Sequence, residues 1–243
     1  MSLALAARQW LLDPVLSVVF PCTCAACARP LSQPSLGPLC RECWDALPRH
    51  RDGCCGCGFP LPAGVPGPCG RCRRGLCAYS AGASLGPYEG GLRTLIHELK
   101  YRGRRRVAAR LADLLMALPE VRALVRRAVL VPVPLHPRRE GERGFNQARL
   151  IAGEVARRAG LEPPRLALVR RKDTAPQTGL SAARRRSNVA GAFAVRRRAQ
   201  VAGRVVVLVD DVMTTGATVR ACARALSEAG AAEVRVLTVA RVA

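Results

Sequence analysis

The sequence predicts an α/β fold with a parallel sheet, preceded by a small segment that is held together by metal. Eleven of the twelve cysteines lie between Cys22 and Cys77, and helix and strand patterns alternate from about Tyr79 onward. The run Val205–Val209 is continuous and β-branched, which is typical of a parallel strand covered on both faces. We therefore expect two domains, residues 1–78 and residues 79–243.

The charge of the chain is strongly positive. It has 39 Lys+Arg against 17 Asp+Glu, a formal net charge of +22, and its only lysines are Lys100 and Lys172. Arginine suits phosphate and carboxylate groups, so an anionic ligand, nucleic acid or a membrane surface is indicated. A genome-wide bias toward arginine explains the charge equally well. The aromatic content of 4% argues against a base-stacking platform along a groove.

The first twenty residues are apolar but interrupted. Arg8, Gln9, Asp13 and Pro14 break the run, and no basic segment precedes it. This pattern favours a short amphipathic helix over a cleaved signal or a membrane span. We expect a soluble, cytoplasmic protein with no membrane span.

The cysteines form four pairs with the two-residue spacing that lets both thiolates reach one ion. The pairs are Cys24/Cys27, Cys40/Cys43, Cys54/Cys57 and Cys69/Cys72. Repeated four times, this spacing predicts two four-cysteine zinc sites. A disulfide framework is the alternative, and a reducing cytoplasm makes zinc the better hypothesis.

Consecutive pairing, with the first two pairs on one ion and the last two on the other, is the simplest zinc assignment. An interleaved assignment fits the same spacing, and Cys22, Cys55 and Cys77 remain as spare ligands. Four thiolates leave no open coordination position, so both zinc ions are expected to be structural.

The next elements follow from periodicity. The stretch GLRTLIHELKYRG places Leu92, Leu95, Ile96 and Leu99 on one helical face and turns Arg93 and Lys100 away from it. A lone helical histidine such as His97 is more often a packed or surface residue than a catalytic one. A second helix follows in RRRVAARLADLLMAL. The stretch AVLVPVPLH then predicts a strand that turns outward near Pro132 and Pro134.

A basic, glycine-containing loop is expected between this strand and the next helix, where anions bind. The helix is predicted to begin near Asn146, a favourable N-cap residue, and to end at Gly160, with Leu150, Ile151 and Val155 buried. The following stretch RRKDTAPQTGLSAARRRSNVAGAF has no sustained periodicity. It is either an ordinary solvated linker or a lid over a site.

The stretch VVVLVDDVMTTGATV carries the most specific chemistry. A strand over Val205–Val209, the helix pattern TVRACARALSEAG and the strand EVRVLTVARV form a βαβ unit, whose ligands bind beyond the carboxyl ends of the strands. Gly216 permits a close turn, and the amides and hydroxyls of residues 214–218 can hold a phosphate at a helix N-terminus. Asp210 and Asp211 would repel a phosphate. They suit vicinal hydroxyls or a magnesium ion, and a sugar phosphate offers both.

This segment resembles the signature of type I phosphoribosyltransferases, in which apolar residues precede two acidic ones and Thr-Thr-Gly-x-Thr. The stretches LIHELKYRG and LVPVPLHPRREGERGFNQARLIA, the pattern from Gln177 to Phe193 and the four cysteine pairs together resemble the ComF family. The resemblance covers the chain from about Cys24 to the final strand. It implies a Rossmann-like type I phosphoribosyltransferase core with a small N-terminal zinc-ribbon domain, which uses phosphoribosyl pyrophosphate (PRPP) and Mg²⁺.

The resemblance also implies roles for residues. Asp210 and Asp211 would meet the ribose hydroxyls, and Arg143 is the best-placed cation for pyrophosphate. The remaining substrate contacts would come from the phosphate loop, the loop from His136 to Asn146 and a closing loop that also holds Asn188. These contacts are Thr214, Thr215, Gly216, Ala217, Thr218, Arg138, Arg139, Gln177 and Arg184.

The expected chemistry is displacement of pyrophosphate at the anomeric carbon by an acceptor base, which the sequence does not identify. Catalysis would rest on positioning and charge neutralisation, and no general base stands out. A different hypothesis is a single-stranded DNA-binding competence factor that works with DNA-uptake proteins and whose PRPP site is regulatory or vestigial. A purely structural zinc adaptor is the third and weakest hypothesis, because the sugar-phosphate signature is intact.

Overall fold

A computed structural model describes residues 22–32, 37–50, 53–54, 56–62, 64–65, 67–172 and 191–242. The helix predicted within the first twenty residues lies outside these ranges, as do Cys55, Gln177, Arg184 and Asn188. Among the described residues, no helix is both long enough and apolar enough to cross a membrane.

In the ranges that the structure describes, six strands form two sheets. They are β1 (Ala81–Pro87), β2 (Val129–Pro132), β3 (Leu168–Arg170), β4 (Phe193–Val195), β5 (Val205–Met213) and β6 (Glu233–Arg241). The main sheet has the order β1-β6-β5-β2 with every neighbouring pair parallel. β3 and β4 pair antiparallel in a separate ribbon. The parallel sheet of an α/β fold is thus confirmed.

Eight α-helices accompany the strands in the described parts of the chain. They are α1 (Arg41–Asp45), α2 (Gly70–Arg73), α3 (Gly90–Tyr101), α4 (Arg106–Ala117), α5 (Pro119–Val125), α6 (Pro137–Arg143), α7 (Gln147–Ala159) and α8 (Ala217–Glu228). One hydrophobic cluster joins α3, α4, α5 and α7 to the sheet, and a second joins α8 to it. These clusters bury both faces of the central strands, as the apolar run at β5 predicted.

The helix ends follow local chemistry. The side chain of Asn146 accepts a hydrogen bond from the Arg149 amide at 3.2 Å and caps the start of α7, and Gly160 with φ 63° is the C-cap at its other end. The expected loop between His136 and Asn146 is instead largely helical, because α6 fills most of it. Pro137 is preorganised for a first helical turn, and Arg138 pairs with Glu142 one turn later.

The cysteine-rich segment covers the outer edge of β1. The His50 amide donates to the Leu85 carbonyl at 3.1 Å, and the Gly82 amide donates to the Gly56 carbonyl at 3.1 Å. Glycine is needed at position 82, because a Cβ atom there would lie 2.6 Å from the Cys57 carbonyl oxygen. The Gly82 amide and the Leu85 carbonyl of this edge strand are therefore paired rather than open to other chains. The domain boundary at residues 78/79 stays a prediction.

Candidate active site

Two groups of four cysteines are brought together by consecutive pairing. The Sγ atoms of Cys24, Cys27, Cys40 and Cys43 lie within 4.8 Å of one another, as do those of Cys54, Cys57, Cys69 and Cys72. The described cysteines form no disulfide.

The spacing of the sulfur atoms suits zinc. A tetrahedral ion with Zn–S bonds of about 2.3 Å places its sulfur ligands about 3.8 Å apart. The Sγ atoms of Cys27 and Cys40 are 3.7 Å apart, and those of Cys57 and Cys69 are 3.6 Å apart. The two clusters therefore fit two structural zinc ions. Cys77 lies 3.3 Å from the sulfur of Cys72 as a neighbouring spare thiol.

Backbone amides favour the thiolate form that a metal requires. The Cys69 amide donates to the sulfur of Cys54 at 3.1 Å, and the Cys40 amide donates to that of Cys24 at 3.3 Å. Burial alone would raise the pKa of Cys54, but the amides of Cys57, Cys69 and Gly56 lower it to about 6. Burial raises the pKa of Cys57 in the same cluster to about 12, so the amide donors favour the thiolate at Cys24 and Cys54 rather than at every ligand.

The sequence predicted that the two aspartates follow the strand Val205–Val209. In the structure both of them lie within β5, which extends to Met213. β5 pairs with β6 as far as Met213, whereas the neighbouring β2 ends with Pro132 opposite Val209. The β5 backbone therefore continues past the carboxyl end of β2 at the two acidic residues. Asp210 and Asp211 lie at this step in the sheet, where ligands of such folds bind.

Asp211 is buried in a polar network. One carboxylate oxygen pairs with the Lys100 ammonium group of α3, and the other accepts from the Gln147 side-chain amide at 3.1 Å. The Arg143 guanidinium donates to the Gln147 side-chain oxygen at 2.6 Å. This network joins the predicted pyrophosphate cation to the aspartate pair through one glutamine.

Burial and charge move the pKa values of the two carboxyl groups in opposite directions. Burial raises the pKa of Asp210 well above its usual value, and the negative charge of Asp211 raises it further. Burial would also raise the pKa of Asp211, but the Lys100 ammonium and the Gln147 amide lower it below its usual value. Asp211 is thus held ionised, while Asp210 takes up a proton more readily.

The predicted phosphate loop joins β5 to α8. Gly216 has φ 70° and directly precedes the helix, so its position needs the left-handed conformation that glycine adopts freely. The Arg220 guanidinium donates to the Thr215 carbonyl at 2.7 Å and braces the loop from within α8. The loop therefore presents the amino end of a helix at the carboxyl end of a central strand.

The other predicted site residues lie around the phosphate loop, on α6, or outside the described ranges. Thr214 is exposed and Thr215 is half-buried before α8, whereas Ala217 is buried and Thr218 is half-buried in the first turn of that helix. Arg138 and Arg139 lie on α6, which leads into the network through Arg143, the last residue of the helix. Gln177 and Arg184 lie outside the described residues.

Sequence reasoning missed two members of the network. Lys100 was expected to point away from the core, yet its long side chain reaches Asp211 from the last turn of α3. Gln147 follows the N-cap of α7 and is buried against the sheet. The signal for Lys100 was its rarity, since it is one of two lysines among 39 basic residues.

The fold and the loop define a phosphoribosyltransferase-type α/β protein with a tetra-cysteine segment. Residues 146–243 match the family model described as Phosphoribosyl transferase domain. "DNA utilization protein YhgH" of Salmonella typhi is 38% identical over 229 residues, which cover 91% of this chain and 97% of that protein. "Competence protein F" of Haemophilus influenzae is 32% identical over 178 residues, covering 71% and 78%. "Competence protein ComFC" of Bacillus subtilis is 36% identical over 104 residues, covering 43% and 40%.

The chain therefore belongs to the ComF family, and its residues 146–243 form a phosphoribosyl transferase domain.

Proposed function

We propose that this protein binds PRPP with Mg²⁺ and transfers the phosphoribosyl group to an acceptor base. The observation that carries the proposal is the position of Asp210 and Asp211 in the last part of a central parallel strand, past the end of β2 and shortly before the Thr214–Thr218 loop. Carboxylates accept hydrogen bonds from vicinal hydroxyls, and the loop amides at a helix N-terminus suit a phosphate. A sugar phosphate satisfies both halves of this arrangement.

The two aspartates are assigned different tasks. Both carboxylate oxygens of Asp211 already have partners in Lys100 and Gln147, so this residue positions the network. Asp210 is then the carboxylate that receives the ribose hydroxyls or a ligand-bound cation. Mg²⁺, which prefers carboxylate and phosphate oxygens, would neutralise charge on the departing pyrophosphate.

Arg143 is assigned to the pyrophosphate, with Arg138 and Arg139 of α6 in support. Its guanidinium lies 5.5 Å from the Tyr101 ring centroid and donates to Gln147, which fixes its direction beside the aspartates. In the reaction, the bond from the anomeric carbon to the pyrophosphate oxygen breaks, and the acceptor base forms the new bond. The protein contributes positioning and electrostatic stabilisation, and the loop with Gln177 and Arg184 would exclude water.

Calorimetric titration with PRPP and Mg²⁺ tests this function. The zinc-loaded protein is compared with Asp210→Asn, which keeps the shape of the side chain, at roughly 0.3 M salt to suppress loose anion binding. Asp113→Asn is the matched control, because the Asp113 side chain is 65% exposed and lies on α4. We expect saturable binding that Asp210→Asn weakens at least about tenfold, the effect of losing one charged hydrogen bond. Equal binding to all three proteins would contradict the proposal.

The names of the relatives support a setting in competence or DNA utilisation. We place the protein in the cytoplasm, since zinc–thiolate sites suit a reducing compartment. DNA-uptake proteins are its proposed partners. PRPP chemistry would then serve the processing of incoming DNA, and the acceptor base would be found among its products.

A second candidate function, binding of single-stranded DNA, is favoured by one cavity. Its volume is about 660 Å³, and it lies beside the β3–β4 ribbon. Among the described residues, its lining includes Arg149, Arg170, Arg171, Arg196 and Arg197, with Glu140 as the one acidic member. Such a cluster attracts a phosphate backbone without reading its sequence.

Fluorescence anisotropy with a labelled oligonucleotide separates the two functions. If the cavity binds DNA, the double variant Arg171→Gln/Arg196→Gln should weaken binding at physiological salt, whereas Asp210→Asn should leave it unchanged. Binding that disappears with modest salt and ignores both variants would show only a basic surface. That result would remove the second candidate.

A further inference from the structure

The phosphate loop and the zinc-binding segment share one small cavity. Its volume is about 40 Å³, which exceeds the roughly 10–15 Å³ that one water needs and leaves room for a single small anion. Thr214, Thr215 and Gly216 form its wall on the loop side, and Cys57 and Cys77 belong to the wall from the cysteine-rich segment. The second zinc cluster therefore lies directly beside the proposed phosphate subsite.

The cavity is lined by cations. Arg71 comes from α2, Arg220 from α8 and Arg241 from the end of β6, while no Asp or Glu occurs among its described lining residues. Arg241 pairs in register with Met213, the residue immediately before the loop. The fold thus fixes this arginine beside the loop through the backbone of the central sheet.

Arg241 is held as a buried charge. The residue is only 7% exposed, and its guanidinium donates to the Cys57 carbonyl at 3.0 Å and lies 4.9 Å from the Phe59 ring centroid. Its Nε atom is buried without a hydrogen-bond partner in the described parts of the chain. These contacts fix the direction of the guanidinium at the wall of the cavity.

A buried guanidinium normally pairs with an anion, because removing an unpaired charge from water is costly. In the described ranges, Arg241 forms no ion pair with a carboxylate. Burial lowers the pKa of His50, and the positive charge of Arg241 lowers it further. The cavity therefore presents a buried positive charge to the amino end of α8.

We propose that Arg241 binds the 5′-phosphate of the sugar ligand and that the second zinc cluster holds this arginine in place. The inference rests on the proposed function, since it deepens the same site. Arg241 lies outside the Thr214–Thr218 signature and supplies a charged donor that the loop amides lack. The zinc-binding segment acts through the Cys57 carbonyl, as part of the wall of the ligand site.

One alternative assigns Arg241 to the zinc cluster alone. Four thiolates and one Zn²⁺ carry a net negative charge, and a nearby guanidinium would neutralise it. The contact with Cys57 is to the carbonyl oxygen, and Thr214–Gly216 line the same cavity. The two roles differ in what the arginine controls: zinc content in one case and ligand affinity in the other.

Titrations with ribose 5-phosphate, ribose and pyrophosphate distinguish these roles. The zinc-loaded wild type is compared with Arg241→Gln and with Arg224→Gln, which removes the same charge from an exposed position on α8 outside the cavity. We expect Arg241→Gln to weaken ribose 5-phosphate binding about 10- to 100-fold, as for loss of a charged hydrogen bond, and to leave pyrophosphate binding unchanged. Two zinc ions per chain should remain in every variant.

Unchanged ribose 5-phosphate affinity in Arg241→Gln would overturn the inference. If that variant loses zinc, Arg241→Lys decides, because it keeps the charge but not the fork of donors. Weaker ribose 5-phosphate binding at full zinc content supports the phosphate role, and unchanged binding overturns it. A wild type that binds neither PRPP nor ribose 5-phosphate would refute the proposed function itself, whatever the variants do.

Discussion

Replacing Lys100 by methionine should destabilise the fold through Asp211, to an extent that depends on pH. The Lys100 and Asp211 side chains are only 18% and 4% exposed, so their ion pair is shielded from water. Removing one member of a buried pair typically costs about 3–5 kcal/mol, because the other charge remains without compensation. Methionine keeps the length of the chain and removes the charge.

Protonation of Asp211 limits this cost. In the variant, Asp211 can bind a proton and so avoid a buried, unpaired charge. Protonating an aspartate costs about 1.4 kcal/mol for each pH unit above its ordinary pKa of about 3.9. The loss of unfolding free energy in Lys100→Met is therefore at most about 4 kcal/mol at pH 7 and about 1.5 kcal/mol at pH 5. Since Lys100 lowers the pKa of Asp211, the stability from the pair is complete above the unfolded pKa and is lost as pH falls through the folded value.

Urea unfolding of the zinc-loaded protein at pH 7 and pH 5 measures these costs. Lys172→Met is the matched control at the other lysine, which is exposed, and should change the unfolding free energy by less than about 0.5 kcal/mol. Adding Asp211→Asn to Lys100→Met should recover most of the loss at pH 7. A cost for Lys100→Met below about 1 kcal/mol that is equal at both pH values would refute a buried, ionised pair.

Three further predictions follow from the same contacts. Gly82→Ala should lower the unfolding free energy by about 1–3 kcal/mol in urea, because its Cβ would meet the Cys57 carbonyl at 2.6 Å; an unchanged midpoint would contradict this docking. PRPP affinity should fall by calorimetry as pH is lowered, since the raised pKa of Asp210 lets it take up a proton sooner than an ordinary carboxyl group, and Asp210→Asn should lose this dependence. Cys24→Ser and Cys54→Ser should each reduce bound zinc from two ions to one by metal analysis; retention of both ions would contradict the two clusters.

Local signals made much of the fold predictable. Asn146 and Gly160 set the ends of α7 because capping depends on neighbouring residues, and the apolar run at β5 required cover on both faces. Consecutive cysteine pairing follows from short loops, although spacing alone left the interleaved pattern open. Each of these features lies within a short stretch of chain, where propensity and periodicity act.

Contacts between distant segments could not be predicted in this way. Lys100 and Asp211 are far apart in sequence, and a helical pattern shows only that Lys100 leaves the apolar face, not where its flexible side chain ends. The contacts of Arg241 with Cys57 and Phe59 could not be predicted either, because they depend on how the cysteine-rich segment packs against the sheet. The α6 helix was missed because its arginines suggested a loop, whereas Pro137 and the Arg138–Glu142 pair favour a helical turn.

The docking of the cysteine-rich segment links metal binding to the sheet and to the ligand site. The segment bonds to the backbone of β1 through Gly56 and Gly82, and Cys57 in the same turn accepts from Arg241. Zinc supplies much of the folding energy of so small a cysteine-rich unit. Loss of the second zinc ion would therefore uncover the edge strand at Gly82 and release the arginine beside the phosphate loop at the same time. The first cluster lacks this connection to the loop among the described residues, so losing its zinc should reduce stability more than ligand affinity.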